Sequence, residues 1–177
     1  MKPAVFCLIS LLLVGCSEAD KDTQNAGTAD APLSSLEKAA IEAGVIPDSR
    51  NISLSGAFER RSDLGEDRFC AVGNDERGYQ VGLIAVFGPD SKCEGQGAAT
   101  RNGEEISIIL DSEQRCTFTA SFDGVALQLP GELPESCASY CTPRAGFSGV
   151  SFFLVGEGDA VARSTRGREI ENLCPGG

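Results

Sequence analysis

Tyr79-Gln80-Val81-Gly82-Leu83-Ile84-Ala85-Val86-Phe87 is the stretch on which the fold turns. In an extended chain Tyr79, Val81, Leu83, Ala85 and Phe87 share one face. Ile84 and Val86 make the other face apolar as well, so this strand is expected in the middle of a sheet. Before it, Gly73-Asn74-Asp75-Glu76-Arg77-Gly78 reads as a turn. A strand over 69–72 containing Cys70 precedes that turn. A first strand places Ile52, Leu54 and Phe58 on one face, with Gly56 between them.

Downstream, residues 93–101 form a strand of small residues ending in Asn102-Gly103, a two-residue hairpin signal. Residues 105–110 return with Ile106, Ile108 and Leu110 aligned. Cys116, Phe118, Ala120 and Phe122 follow, and Asp123-Gly124 turns the chain into Val125, Leu127 and Leu129. The spacing predicts a mainly β fold: an antiparallel meander of about seven strands, closing into a small barrel that removes its exposed edges. After Pro130 the pattern dissolves. Pro134, Cys137, Cys141 and Pro143 punctuate an irregular segment, and residues 147–155 are apolar without a clear period. Asp159 is expected to cap a short helix through Ser164. This C-terminal stretch should plug or cover one end of the barrel.

Upstream, Ser34-Ser35-Leu36-Glu37 fits a capping box. Leu36, Ala40, Ile41 and Ala43 recur at helical spacing and Gly44 ends the run, which predicts a helix over 34–44 docked on its own domain, with docking on a partner as the alternative. Residues 17–33 hold no large apolar residue before Leu33. Such a segment cannot bury enough surface to offset ordering and reads as a flexible tether.

The first residues carry a different signal. Lys2 leads into an apolar run over 4–14, broken only by Ser10, and then into Leu13-Val14-Gly15-Cys16. This is the pattern of a secretory leader, too short for the ~20 residues of a membrane span. Its end resembles the lipobox of bacterial lipoproteins. The resemblance implies removal of residues 1–15 and a diacylated Cys16; composition and length then give a tether over 16–33 and a single domain over 34–177. It also implies attachment to the cell envelope by lipid. Ser17, standing where an Asp would resemble an inner-membrane retention signal, points to the periplasmic face of the outer membrane.

Composition narrows the function. The chain of 177 residues has 15 Lys and Arg against 26 Asp and Glu, and loss of Lys2 with the leader takes the balance to near −12. That argues against nucleic acid and against anionic lipid headgroups as partners. Of eight cysteines, Cys7 leaves with the leader and Cys16 takes lipid. Cys70, Cys93, Cys116, Cys137, Cys141 and Cys174 remain, an even number that reads as three disulfides in an exported chain. Hairpin register about Asn102-Gly103 pairs residues summing to about 205 and sets Cys93 opposite Ser112, close to Cys116. A bridge from Cys93 to Cys116 is therefore expected, with Cys174 tying down the tail. The spacings of 23, 23 and 21 residues, with no Cys-x-x-Cys and no histidine, do not suit zinc. Cys137-Ala138-Ser139-Tyr140-Cys141 likewise lacks the histidine partner that accompanies such pairs in copper chaperones.

Without histidine, Ser–His and Cys–His nucleophiles are impossible. Lys21, Lys38 and Lys92 are poorly placed for a Ser–Lys dyad, and the paired acids fall at turns and strand ends. The expectation is no enzyme, no cofactor and no metal. Arg60, Arg61, Arg163, Arg166 and Arg168 are the candidate site for an anionic glycan or headgroup, with internal ion pairing as the alternative.

The plan as a whole is similar to small disulfide-stapled envelope lipoproteins. Among these, the membrane-bound inhibitors of c-type lysozyme join a lipidated cysteine to a compact barrel. Their Ser-Gly-x-x-Tyr element has its nearest match in Ser55-Gly56-Ala57-Phe58-Glu59, where Phe58 falls one residue early. That resemblance implies enzyme inhibition, and an open barrel lumen would imply a carrier of small apolar ligands. The primary expectation is a non-catalytic binding or envelope-accessory module with a protein or envelope component as partner.

Overall fold

Eight antiparallel strands follow one another around a closed barrel: β1 (Gly56–Ser62), β2 (Gly65–Asn74), β3 (Gly78–Val86), β4 (Lys92–Asn102), β5 (Glu105–Leu110), β6 (Cys116–Phe122), β7 (Ala126–Gln128) and β8 (Ser151–Glu157). The computed structural model describes residues 34–46, 48–111 and 115–175, so the leader, Cys16 and the tether lie outside the described residues. The expected meander is present with one strand more. β8 comes from the apolar stretch without a period: Phe152 points into the core, while Phe153 and Val155 on its outer face are 47% and 58% exposed. An exposed face built of apolar residues erases the alternation that marks a strand in sequence.

β5 and β6 alternate strictly between buried and exposed residues, and their buried sets line the lumen. Phe58, Phe69, Phe122, Phe152, Leu83 and Ile106 are all less than 2% exposed there. The Phe58 ring meets Phe69 and Phe122 edge-on, with centroids 5.5 and 5.7 Å apart. Burial of each such side chain contributes about 1.5–3 kcal/mol. Eight strands enclose a space just wide enough for side chains to fill, and here they fill it.

The β4–β5 hairpin differs from expectation by one residue at its turn. Asn102 pairs with Glu105, so Gly103 and Glu104 form the turn and Gly103 takes φ 62°. Glycine at the first turn position suits a II′-type loop, whereas Asn-Gly occupying both positions would be I′. Gly97 opposite Leu110 is the last pair. β4 has 11 residues and β5 only 6, so the start of β4 runs on past its neighbour. The vacant side of β4 is taken by the segment after Pro130. Cys93 lies opposite Cys141, and the Thr142 N–H donates to the Lys92 carbonyl at 2.9 Å.

The disulfides are accordingly Cys93–Cys141, Cys116–Cys137 and Cys70–Cys174. The expected bridge from Cys93 to Cys116 is not formed, because the turn shift and the unequal strand lengths leave Cys93 beside a segment far along the chain. A 3₁₀ turn over Glu135–Tyr140 contacts both β4 and β6 where they begin, and its Cys137 is buried, as are Phe147 and Val150 beyond it. The segment over 130–150 thus plugs one barrel end, as expected.

The tail does not. Ala162, Leu173 and Cys174 pack on the outer wall of β2 and β3 against Cys70, Val72, Ile84 and Val86. A Cβ on Gly82 would overlap the Leu173 carbonyl oxygen, so glycine lets the tail lie flat on the strand. Helix α2 is Asp159–Ala162 with Gly158 as its N-cap. The Asp159 carboxylate instead accepts from Ser55 Oγ and from the Gly73 N–H, tying α2 to the far barrel rim. At that rim Arg101 lies over the Phe122 ring and donates to the carbonyls of Ser49, Ile52 and Gly103.

Helix α1 (Ser35–Glu42) has the capping box read from sequence. Ser34 Oγ accepts from the Glu37 N–H at 3.2 Å, and Glu37 Oε2 accepts from the Ser34 N–H at 2.9 Å. None of its residues is buried, and Leu36 is 78% exposed. The expected docking of its apolar side on the domain is not made. Ile41 only borders a shallow groove shared with Ile46 and Val125.

Candidate binding site on the barrel wall

Arg60 and Arg61 are neighbours in sequence and opposites in space, because side chains alternate across a strand. Arg60 follows Phe58 on the inward face, at the barrel mouth. Its Nε lies 3.1 Å from Asp67 Oδ2, a carboxylate 3% exposed whose other oxygen accepts from the Val86 N–H at 2.7 Å. Arg60 balances a buried acid and is withdrawn from the anion site proposed for it by sequence. Arg60→Gln should cost about 2 kcal/mol in urea unfolding, below the 3–5 of a fully buried pair because solvent reaches the arginine. An unchanged midpoint would show that Asp67 needs no counter-charge.

Arg61 faces outward and is 77% exposed, 3.5 Å from Glu59 and 3.7 Å from Glu66. The β1–β2 register sets Arg61 opposite Glu66 and Glu59 opposite Arg68, so four charges of alternating sign share the outer wall. The Arg68 hydrogen bond to Glu66 holds that carboxyl below its ordinary value despite partial burial.

The three tail arginines have separate tasks. Arg163 Nη2 lies 3.4 Å from Asp159, one helical turn away. Arg168 donates to the carbonyls of Gly88 and Pro89, strapping the tail over the β3–β4 loop. Its backbone N–H and those of Glu169 and Ile170 point at the Glu94 carboxylate, which is 2% exposed and also bound by Lys92 Nζ at 2.9 Å. Burial pushes the Glu94 carboxyl up, but Lys92 and the three N–H groups outweigh it and hold it below its ordinary value.

Arg166 is the member that points to binding. Its Nη1 donates to the Arg163 carbonyl and to Asn172 Oδ1, and it has no carboxylate partner among the described residues. Arg68 Nη1 donates to the Arg166 carbonyl at 3.0 Å, bringing a second guanidinium beside it. Together they line a cleft of ≈ 290 Å³ between α2 and the outer faces of β1, β2 and β8, with Glu59, Val155, Val161 and Thr165. Phe153 lies two residues from Val155 on the same face of β8. In a chain of net charge −11, apolar wall and arginine are thus placed side by side. Such a surface can hold an anionic group with an apolar neighbour. Sequence reading missed Arg68, since only the β1–β2 register and the path of the tail bring it to Arg166.

Two other candidate regions are occupied by the fold itself. The lumen is packed with phenylalanine and aliphatic side chains. In the segment over 55–59, Ser55 Oγ is bonded to Asp159 and Phe58 is fully buried, so the stretch that resembles the inhibitor element enters a core strand.

Comparison of the chain with protein-family models, curated proteins and solved structures gives no match.

Proposed function

We propose that this chain is an exported lipoprotein, acylated on Cys16 and held at the periplasmic face of the outer membrane. Its barrel acts there as a non-catalytic binding or envelope-accessory module. The observation that carries this reading is the complete pairing of the six body cysteines into three bridges. Stable disulfides belong to oxidising compartments, which supports export. Cys16 then stands outside the disulfide set, at the end of an apolar leader and ahead of a polar tether. The absence of histidine from the chain and a lumen filled with side chains support binding at the surface over catalysis or carriage inside. The wall bearing Arg68, Arg166 and Val155 is the surface assigned to the partner.

Mass spectrometry of membrane-extracted protein should find a diacylglyceryl group on an N-terminal Cys16. Cys16→Ala should leave unprocessed precursor. A mature, unmodified N-terminus in that variant would refute the anchor.

A further inference from the structure

We infer that the cleft between α2 and the barrel wall captures the free C-terminal carboxylate of a peptide whose last side chain is apolar. This rests on the reading of the domain as a binding module and names its ligand.

The barrel is closed and only short stretches of strand edge lack a ladder partner, such as 117–120 of β6, so an extended peptide has little edge to join. Recognition of a peptide at this cleft would come from side chains, and an end group is the part they can hold alone. Arg68 and Arg166 both line this cleft, and a planar guanidinium is the fork that suits a carboxylate. Both are oriented beforehand: Arg68 by Glu66 and the Arg166 carbonyl, Arg166 by the Arg163 carbonyl and Asn172. Beside them Val155 and Val161, 58% and 40% exposed, form an apolar wall for the terminal side chain.

Glu59 decides between anions. Glu59 also lines the cleft, and the negative charge on its carboxylate oxygens disfavours a dianion, which penalises phosphate and sulfate. The same oxygens can accept the N–H that a peptide ending in any residue but proline carries next to its terminal carboxylate. A lipid phosphate has the negative charge but lacks that donor.

The test uses the processed full chain and fluorescence anisotropy. The probes are a labelled Gly-Gly-Ala-Leu peptide with a free carboxylate and its C-terminal amide. Vesicles of phosphatidylglycerol form a second arm. The free acid should bind, and the amide should bind at least about tenfold more weakly, as loss of a charge-assisted pair requires. Arg166→Gln and Val155→Asp should each weaken the acid by about tenfold with thermal unfolding unchanged, since both positions are solvent-facing. Glu59→Gln should let inorganic phosphate compete where it did not before.

Equal binding of acid and amide, or binding indifferent to Arg166→Gln, would overturn the inference. Vesicle binding that disappears in Arg166→Gln, with no peptide binding, would overturn it in favour of a lipid phosphate. A partner captured from envelope extracts and lost in Arg166→Gln, again with no peptide binding, would overturn the carboxylate ligand and leave the binding-module reading standing. Failure of both peptide and partner to bind would overturn the two together.

Discussion

Replacing Cys70 and Cys174 together by alanine should lower the free energy of unfolding by about 4–5 kcal/mol, the chain-entropy value for a closed loop of roughly 100 residues. The bridge spans 104 residues, against 48 and 21 for the other two, so it restricts the unfolded chain most. It also holds the tail on the outer wall, where Val72, Ile84 and Val86 would otherwise meet water. The loss should therefore show in two measurements. The urea midpoint should fall, and trypsin should cut the tail at Arg163, Arg166 or Arg168 faster than it cuts the barrel. A variant with unchanged midpoint and an uncut tail would mean that the tail is held by its hydrogen bonds alone.

Glu94→Ala should cost about 3–5 kcal/mol, the range found when one member of a buried pair is removed. Its carboxylate is the common acceptor for Lys92 and for the N–H groups of residues 168–170, so its loss strands three donors and leaves the Lys92 ammonium only the exposed Glu169 carboxylate, 3.2 Å away. Glu94→Gln should cost less, because an amide oxygen still accepts. The pH dependence has a definite sign. A carboxyl held below its ordinary value stabilises the fold fully above its unfolded pKa of about 4.3, and that contribution is lost as pH falls through the lower folded value. Urea unfolding of wild type and Glu94→Gln should differ by a constant amount from pH 7 to pH 5. The difference should shrink below about pH 4, as the wild-type carboxyl takes up its proton. Comparing the two proteins removes the matching contributions of Glu66 and Asp159, which shift in the same direction. A gap that stayed constant down to pH 2 would mean that the charge on Glu94 is not what holds the tail.

The arginines show where sequence reading of a site stops. Five of them cluster along the chain and are the candidates that spacing alone offers. Alternation alone separates Arg60 from Arg61, and the buried Asp67 claims the first of them. Of the tail cluster, Arg166 faces the cleft, and its companion there is Arg68, 98 residues away. Charge spacing along a chain says little about charge spacing on a surface once strands have been paired.

What the sequence determined by itself is what nearest neighbours control. The inward set of β5 and β6 follows from the two-residue period of an extended chain, and the α1 cap closes through bonds that span three residues. The even count of body cysteines, with no histidine to compete for a metal, required staples but not their pairing. Tertiary structure alone decided the rest. Ile84 and Val86 on β3 marked a strand covered on both faces, and in a barrel without a central strand the second cover is the tail. Cys93 met Cys141 because β4 outruns β5, and β8 closed the barrel from a stretch whose outer face is apolar. In each case the deciding contact joins residues tens of positions apart. Local preference sets the shape of each segment, while closure of the barrel sets which segments meet.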